Sequence, residues 1–408
     1  MPDNSSTVTL QDGRPRGTFL EVLLVFLRLG CTSFGGPIAH LGYFQKEFVA
    51  RRKWCGAGAM AEIIALAQSL PGPASSQVGF SLGILRAGWL GGLAAWIGFT
   101  LPSALLMLAF AYGHSLLGGS AGVGLLHGLQ VVAVAVVAQA VLSMQRSLAP
   151  DWTRLALAFL AACAALILPA QVATLCAIAL GAVLGLLLFG SIKSETSAPI
   201  EMRLPKAAGI ASAVVFLALL IVVPLLARAL AVAWLSVFSA FYRSGALVFG
   251  GGHVVLPLLE SAVVAPGWVS QQSFLAGYGA AQALPGPLFA FSAYLGAAVR
   301  PSPSPPLYGL MSLLGLFAPG LLAVTAVLPF WSELRGSRIM QAALRGINAS
   351  VVGILAAALI HPLWTSTIHT AGDLAIALVA FALLVLAKVQ PWIVVVSVAI
   401  FTLLMTLV

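Results

Sequence analysis

The sequence predicts an all-α polytopic membrane protein of two inverted-topology repeats, with broken or re-entrant helices and about 10–13 membrane segments. Three observations predict it. The 408 residues are 61% hydrophobic and 8% charged, with a mean hydropathy of +1.05, which leaves too little charge to cover a soluble protein of this length. Shifting the chain by about 215 residues lays one half on the other. The basic loops of each half then fall opposite loops of its counterpart that lack lysine and arginine, as opposite insertion requires.

Residues 1–18, "MPDNSSTVTLQDGRPRGT", are polar and lack the apolar core and small-residue cleavage site of a secretory signal. They read as a retained cytoplasmic tail. The N-terminal repeat covers 19–190. It opens on "FLRLGCTSFGGP" (26–37), where an arginine and a glycine pair interrupt an apolar run, and continues through "YFQKEFVARRKW" to "AQSLPGPASSQ" (67–77). The segments on either side of each break are short. Arg14 and Arg16 before the first break match the sign of Lys46 to Lys53 after it, so these segments are expected to return to the side they left. Uninterrupted spans are expected at 89–112, 126–145, 155–168 and 171–190, the last two turning at Pro169.

Residues 191–233 form a polar linker and an unpaired span near 207–228, which supplies the odd crossing that inverts the second repeat. That repeat, 234–408, begins with "FYRSGALVFGGGH" (241–253) and "AQALPGP" (281–287). Further spans follow at 307–330, 343–361, 369–388 and 391–408. The register pairs Arg28 with Arg243, Gly30 with Gly245, Phe34 with Phe249, and Trp54 with Trp268. Lys46, Arg51, Arg52 and Lys53 fall opposite "ESAVVAPGWVSQQ", which has no lysine or arginine. The next pair reverses, with Arg335, Arg338 and Arg345 in the second half, and the third reverses again with Arg146 and Arg154 in the first.

The chemistry is expected at the breaks. Arg28 lies about 14 Å along its helix, near mid-bilayer, where a guanidinium costs on the order of 3 kcal/mol without a partner. A symmetry-related Arg243 doubles that cost. Gly35 and Gly36 with Pro37, Gly250, Gly251 and Gly252, and the Pro71-Gly72-Pro73 and Pro285-Gly286-Pro287 triplets stop one helix and start another. Helix starts in a membrane leave free N–H groups and a positive dipole end, which is an anion site. Ser33, Gln68, Ser75, Ser76 and Gln77 in the first half, with His253 and Gln282 in the second, are the polar groups near the breaks. Because "ASSQVGF" becomes "LFAFSAY", the site is expected to be lopsided. Glu21, at i to i+7 from Arg28, and Glu62 are the proton-coupling candidates, Glu21 also being placed to pair with Arg28.

No HExxH pair or convergent Cys/His set occurs, so neither an enzyme nor a cofactor is indicated. Nothing interleaves bases with aromatics as a nucleic-acid surface would. The lipid bilayer is the partner the composition requires, and a homodimer stays open.

"FLRLGCTSFGGPIAHLGYFQKEFVARRKW" with "AQSLPGPASSQVGFSLG", then "FGGGHVVLPLLE" with "GYGAAQALPGPLFAFSAYLG", resembles the bacterial chromate ion transporter family in its long, two-domain form. The resemblance covers Phe19 to Val408. It implies a carrier of the bacterial inner membrane that exports chromate and confers resistance, with proton antiport as the family expectation. It assigns the family motifs to Arg28, Ser33, Gly35, Gly36, Pro37, Gln68, Pro71, Gly72 and Pro73, and to Arg243, Gly250 to Gly252, Gln282, Pro285, Gly286 and Pro287. Cys31 departs slightly from the pattern. A sulfate or other oxyanion permease shares every feature read from the residues, and a passive anion channel shares most.

Overall fold

The structure is a computed structural model describing residues 17–116, 119–168, 170–190, 205–299, 304–334 and 336–407. Every regular element among them is helical. The first half holds α1 (Phe19–Thr32), α2 (Gly36–Phe44), α3 (Ala57–Ser69), α4 (Ala74–Leu116), α5 (Gly119–Leu148), α6 (Trp152–Ile167) and α7 (Ala170–Phe189). α8 (Lys206–Leu230) stands alone between the halves. The second half holds α9 (Ala233–Ala246), α10 (Val255–Val263), α11 (Gln271–Gln282), α12 (Phe291–Ala298), α13 (Pro305–Val327), α14 (Trp331–Leu334), α15 (Arg338–Ala358), α16 (Thr365–Thr367), α17 (Ala371–Val385) and α18 (Pro391–Met405). Wide π-turns prolong α2 to Arg51 and α15 to Trp364.

Side-chain caps mark several starts. Thr18 accepts from the Glu21 N–H, Asp151 from Arg154 and Ser270 from Ser273, and Thr370 with Asp373 forms a reciprocal box on α17.

Four helical hairpins set the architecture. In the first, α2 folds back along α1 about Gly35, so that Phe26 meets Phe44 at 5.7 Å and stacks on Phe48 at 5.0 Å. Those residues are nearly equidistant from the turn. α3 and the start of α4 fold about the Pro71-Gly72-Pro73 triplet, bringing the Arg86 guanidinium over Trp54 at 5.4 Å. α4 is itself bent double: Ala87 (φ −142°, ψ 25°) and Gly88 (φ 66°, ψ −158°) leave the helical region, and Gly83 packs against Gly91 and Ala95. Its limbs, 74–86 and 89–116, therefore run antiparallel.

The second half repeats the plan with different atoms. Ser244 donates to the Leu258 carbonyl at 3.4 Å between α9 and α10. Tyr294 donates to Ser273 O at 2.9 Å and Phe274 meets Phe291 at 5.4 Å between α11 and α12. Gly296 then packs on Tyr308 and Ser312 where α13 doubles back.

The halves exchange their terminal helix pairs, and the exchange fixes their relative direction. Gly181 of α7 packs on Gly346 and Ser350, and Gly185 on Ala342 and Gly346, so α7 runs antiparallel to α15. Short connections reverse the chain from α5 to α6 and from α6 to α7, which leaves α5 parallel to α7. Its counterpart α15 is thus antiparallel to α5, and the repeats are inverted. Reciprocally, Gly124 and Gly128 of α5 seat Thr402, Thr406 and Ala399 of α18, again antiparallel. Small residues at these crossings let backbones approach where no water drives helices together.

Following the chain through these reversals puts Lys46, Arg52, Arg86, Arg154, Lys206 and Arg338 at one face, tied together by contacts such as Lys206 with Glu333 at 3.1 Å and Arg154 over Phe189 at 5.8 Å. Among the described residues the opposite face carries Arg228 at the end of α8. The through-going helices among the described residues are the second limb of α4, α5 to α8, α13, α15, α17 and α18, at the positions expected for uninterrupted spans. By length and composition, six helices among the described residues are long and apolar enough to cross a membrane; α6, α17 and α18 are shorter. The tail 1–16, Pro169, the linker 191–204 and Arg335 lie outside the described residues.

α8 has no counterpart. It covers α9 and α13, with Tyr242 donating to Phe216 O at 3.0 Å and Gly209 against Ala326 and Phe330. Leu20 and Leu24 of α1, which lacks such a cover, are exposed.

Candidate functional site: four hairpin tips at the centre

The four tips meet end to end in the middle of the molecule, two from each face. Gly72 N–H donates to Val248 O at 2.8 Å, and Gly286 N–H donates to Ser33 O at 2.9 Å. The repeat register equates Gly72 with Gly286 and Ser33 with Val248, so these are one bond seen twice about a pseudo-two-fold axis. Pro37 and Gly252, also equivalent, face one another, and a Cβ on Gly252 would stand 3.0 Å from Pro37 Cγ. The axis passes between them.

Positive backbone angles make the crossing. Gly35 (φ 99°) and Gly36 (φ 77°) end α1, and Gly250 (φ 77°) and Gly251 (φ 142°) end the α9 limb. Pro37 then occupies the first turn of α2, as its missing N–H allows. Gly72 (φ 118°) and Gly286 (φ 87°) turn the other two tips between prolines. A Cβ on Gly72 would be 2.6 Å from Gly320 Cα, and one on Gly286 would be 2.8 Å from Ser103 Oγ, again equivalent neighbours. Each returning limb starts a helix at its tip. Four helix N-termini converge there, each carrying roughly half a positive charge on free N–H groups.

The polar groups around the tips divide into used and unused. His40 Nε2 lies 3.2 Å from Ser33 O and its Nδ1 3.4 Å from Ser75 Oγ, with its ring edge-on to Phe99 at 5.2 Å. Gln77 Nε2 donates to Pro71 O and to Gly320 O, both at 2.9 Å, and so staples the first-repeat tip to α13. His253 Nδ1 bonds Tyr278 OH at 2.7 Å. By contrast, Ser33 Oγ, Ser76 Oγ, Gln77 Oε1, Thr100 Oγ1, Gln282 Nε2 and Asn348 Oδ1 are enclosed with no protein hydrogen-bond partner. Buried polar atoms in native structures are rarely left so, and a cluster of them marks a place where a polar guest completes the bonding.

The second repeat offers less at the equivalent place. Ser75, Ser76 and Gln77 correspond to Phe289, Ala290 and Phe291, which lie in an aromatic cluster with Phe317 and Tyr278.

Arg28 and Arg243 each stand two helical turns before their tip, at the middle of the molecule. Both are exposed, and neither makes a protein ion pair or hydrogen bond through its guanidinium among the described residues. On α9, Arg243 is the exposed residue within the otherwise covered stretch 237–250. Arg28 lies on the stripe of α1 that also exposes Leu24 and Cys31, and α1 buries Val22, Val25, Phe26 and Leu29 on its other side. Gln68, at the end of α3, is exposed.

The carboxylates are placed differently from expectation. Glu21 does not pair with Arg28: it binds Arg86 through both oxygens at 3.1 Å, and Gly17 N–H donates to Arg86 O at 3.0 Å. Helical spacing put Arg28 on the same element, but α1 presents Glu21 to the end of the hairpin limb 74–86. Glu62 is buried and accepts from the Trp331 indole at 3.0 Å, which joins α3 to the end of the α13 segment. His40, Arg86, Asn348 and Gly320 were not among the residues singled out in the sequence. His40, a lone imidazole in an apolar returning limb, was the one with a visible signal.

The fold and its centre define a class: a polytopic membrane protein of inverted repeats whose broken helices meet at mid-depth. The chain belongs to the chromate transporter family, whose model matches it twice, over residues 20–186 and 235–403. It is 26% identical to a chromate transport protein of Pseudomonas aeruginosa over 362 residues, 87% of this chain and 84% of the relative. It is 26% identical to a probable chromate transport protein of Synechococcus elongatus over 352 residues, 85% of each chain. A chromate transport protein of Cupriavidus metallidurans is 24% identical over 368 residues, 88% of this chain and 86% of the relative. No solved structure matches.

Proposed function

We propose that this chain is a secondary carrier that moves chromate out across the bacterial inner membrane, and that the anion binds where the four tips meet. The supporting observation is the cluster of enclosed, unpartnered polar atoms among converging helix starts, flanked by two exposed arginines at mid-depth. A tetrahedral dianion needs several N–H and O–H donors and one or two guanidinium groups, and charge-assisted bonds of this kind are about twice as strong as neutral ones. Ser33, Ser76 and Gln282 with the α2 and α4 helix starts are the donors for it, and Arg28 and Arg243 balance its charge. The glycines at 35, 36, 250 to 252, 72 and 286 let the backbone approach. Gln77, the prolines and His253 hold the tips.

The face with Lys46, Arg52 and Arg154 is the cytoplasmic one under the positive-inside rule, which puts the N-terminus there. With the cell interior negative, moving a dianion outward gains about 4.6 kcal/mol per 100 mV, a concentration ratio of roughly a thousandfold. Voltage alone is then a sufficient drive, with proton antiport an addition. Chromate export of this kind confers resistance. Sulfate, equal in charge and shape, is a competitor for the same donors.

The test is chromate uptake into inside-out vesicles with voltage and pH gradients collapsed separately. Arg28→Ala and Arg243→Ala each abolish uptake at unchanged abundance, and lysine restores little because it lacks the planar donor fork. Full uptake by both alanine variants removes the site.

A further inference from the structure

The two ring nitrogens of His253 are used unequally. Nδ1 lies 2.7 Å from the Tyr278 hydroxyl. Tyr278 is fully buried on α11, and its hydroxyl makes no other hydrogen bond among the described residues. An Nδ1–H donating to that oxygen would strand the phenol proton in the core, so the hydroxyl donates and Nδ1 accepts. The ring is then neutral and carries its one proton on Nε2. Nε2 makes no hydrogen bond among the described residues, and His253 is only half-buried.

The backbone around His253 is left open in the same way. His253 lies in the short turn Gly252–Val254 that leads into α10. The N–H groups of Gly250, Gly251, Gly252 and His253 make no hydrogen bond among the described residues. Backbone donors in a covered segment rarely stay so without water or a ligand. Asn348, whose Oδ1 is enclosed without a partner, stands beside this turn: a Cβ on Gly250 would be 3.3 Å from that oxygen. Gly252 meets Pro37 across the pseudo-two-fold axis, so the turn reaches the centre of the molecule. The repeat register places His253 at Ile38, whose side chain is 79% exposed, so the position is uncovered in both repeats.

Resting on the chain's reading as an oxyanion carrier, we infer that His253 donates its Nε2–H to the anion, and that Tyr278 is a positioning residue that holds the ring in the donating tautomer and orientation. The imidazole supplies a directed hydrogen bond without net charge, and the charge comes from Arg28 and Arg243. In the first repeat the equivalents of His253 and Tyr278 are Ile38 and Ile64, so the pair belongs to the second repeat alone. It stands in the repeat where Ser75 and Ser76 are replaced by Phe289 and Ala290, and restores a donor on that side.

The experiment measures chromate uptake into inside-out vesicles as a function of chromate concentration. His253→Ala removes a donor to a charged guest and raises the half-saturating concentration about tenfold or more, while maximal rate and membrane abundance hold. His253→Gln, whose amide can donate to the anion and accept from Tyr278, stays within about threefold of the wild type. Tyr278→Phe keeps the ring that packs on Phe291 and raises the half-saturating concentration about fivefold. Added to His253→Ala, Tyr278→Phe has no further effect, because it acts through the imidazole; a merely structural phenol would show its full effect in either background. Wild-type half-saturation in His253→Ala, or additive effects in the double variant, overturns the inference. Should His253→Ala fail to accumulate in the membrane, unchanged half-saturation in Tyr278→Phe overturns it equally. A wild-type protein that takes up no chromate defeats the carrier reading instead.

Discussion

Gly72→Ala is the substitution for which the structure yields a magnitude. Gly72 sits at φ 118°, where a Cβ costs about 1–2 kcal/mol. That Cβ would also stand 2.6 Å from Gly320 Cα, a backbone atom that cannot rotate aside. Carbon atoms rest about 3.5–4.0 Å apart, so the tip must retreat by about 1 Å. The retreat stretches the 2.8 Å bond from Gly72 N–H to Val248 O out of range, at a further cost of about 1 kcal/mol. The sum is about 2–3 kcal/mol, concentrated on the bond that joins the repeats. Chromate uptake into inside-out vesicles should fall at least tenfold, since a 1 Å displacement of positioned groups is enough to cost about a hundredfold in comparable sites. The melting temperature of the purified protein in detergent should fall with it. Gly58→Ala, on a helix with nothing within 4 Å, is the matched control and should change neither. Wild-type uptake by Gly72→Ala would refute the claim that the tips must touch.

Three further experiments use labelling or substitution. Cys31 shares the exposed stripe of Arg28, so a membrane-impermeant thiol reagent applied from the basic face should label it, with chromate slowing the reaction; absence of labelling from either face would put that stripe in lipid. Cys55, whose thiol burial pushes up to about 11, should remain unlabelled at pH 7 to 8 and react only as pH approaches that value. Glu21→Gln removes a partly exposed ion pair to Arg86 and should cost about 1 kcal/mol of stability while leaving the pH dependence of transport unchanged; a flattened pH profile would return Glu21 to the coupling mechanism.

The architecture was legible because it depends on patterns that sequence preserves. Glycine and proline mark where helices must stop, apolar length marks what can span, and loop charge alternation marks orientation. Each survives divergence of the repeats. The site was legible only at its backbone. Gly72 and Gly286 were found as helix breakers, but their bonds to Val248 and Ser33 join positions far apart in the chain, and no local spacing encodes them. The same holds for Gln77 bridging to Gly320 and Glu62 to Trp331. Glu21 shows the converse failure: its spacing to Arg28 suggested a partner on the same helix, and the fold of α4 supplied Arg86 instead. The bend at Ala87 and Gly88 had no proline to announce it, although 89–112 was placed correctly because the limb after it is long and apolar.

The departures from symmetry carry as much as the symmetry. In the first repeat, Ile38 is 79% exposed and Gly42, Gln45 and Lys46 are exposed, whereas their second-repeat equivalents His253, Pro257, Glu260 and Ser261 are each partly covered. The two repeats therefore differ in how far their returning limbs are covered. The reciprocal amide bonds at Ser33 and Val248 lie close to the axis, where an exchange of conformation between repeats moves atoms least. Groups far from the axis, on the outer parts of the limbs, move most. A carrier of the proposed kind can then switch sides by trading the two limb arrangements while the tips keep their grip on each other, and on a guest held among Ser33, Ser76 and Gln282.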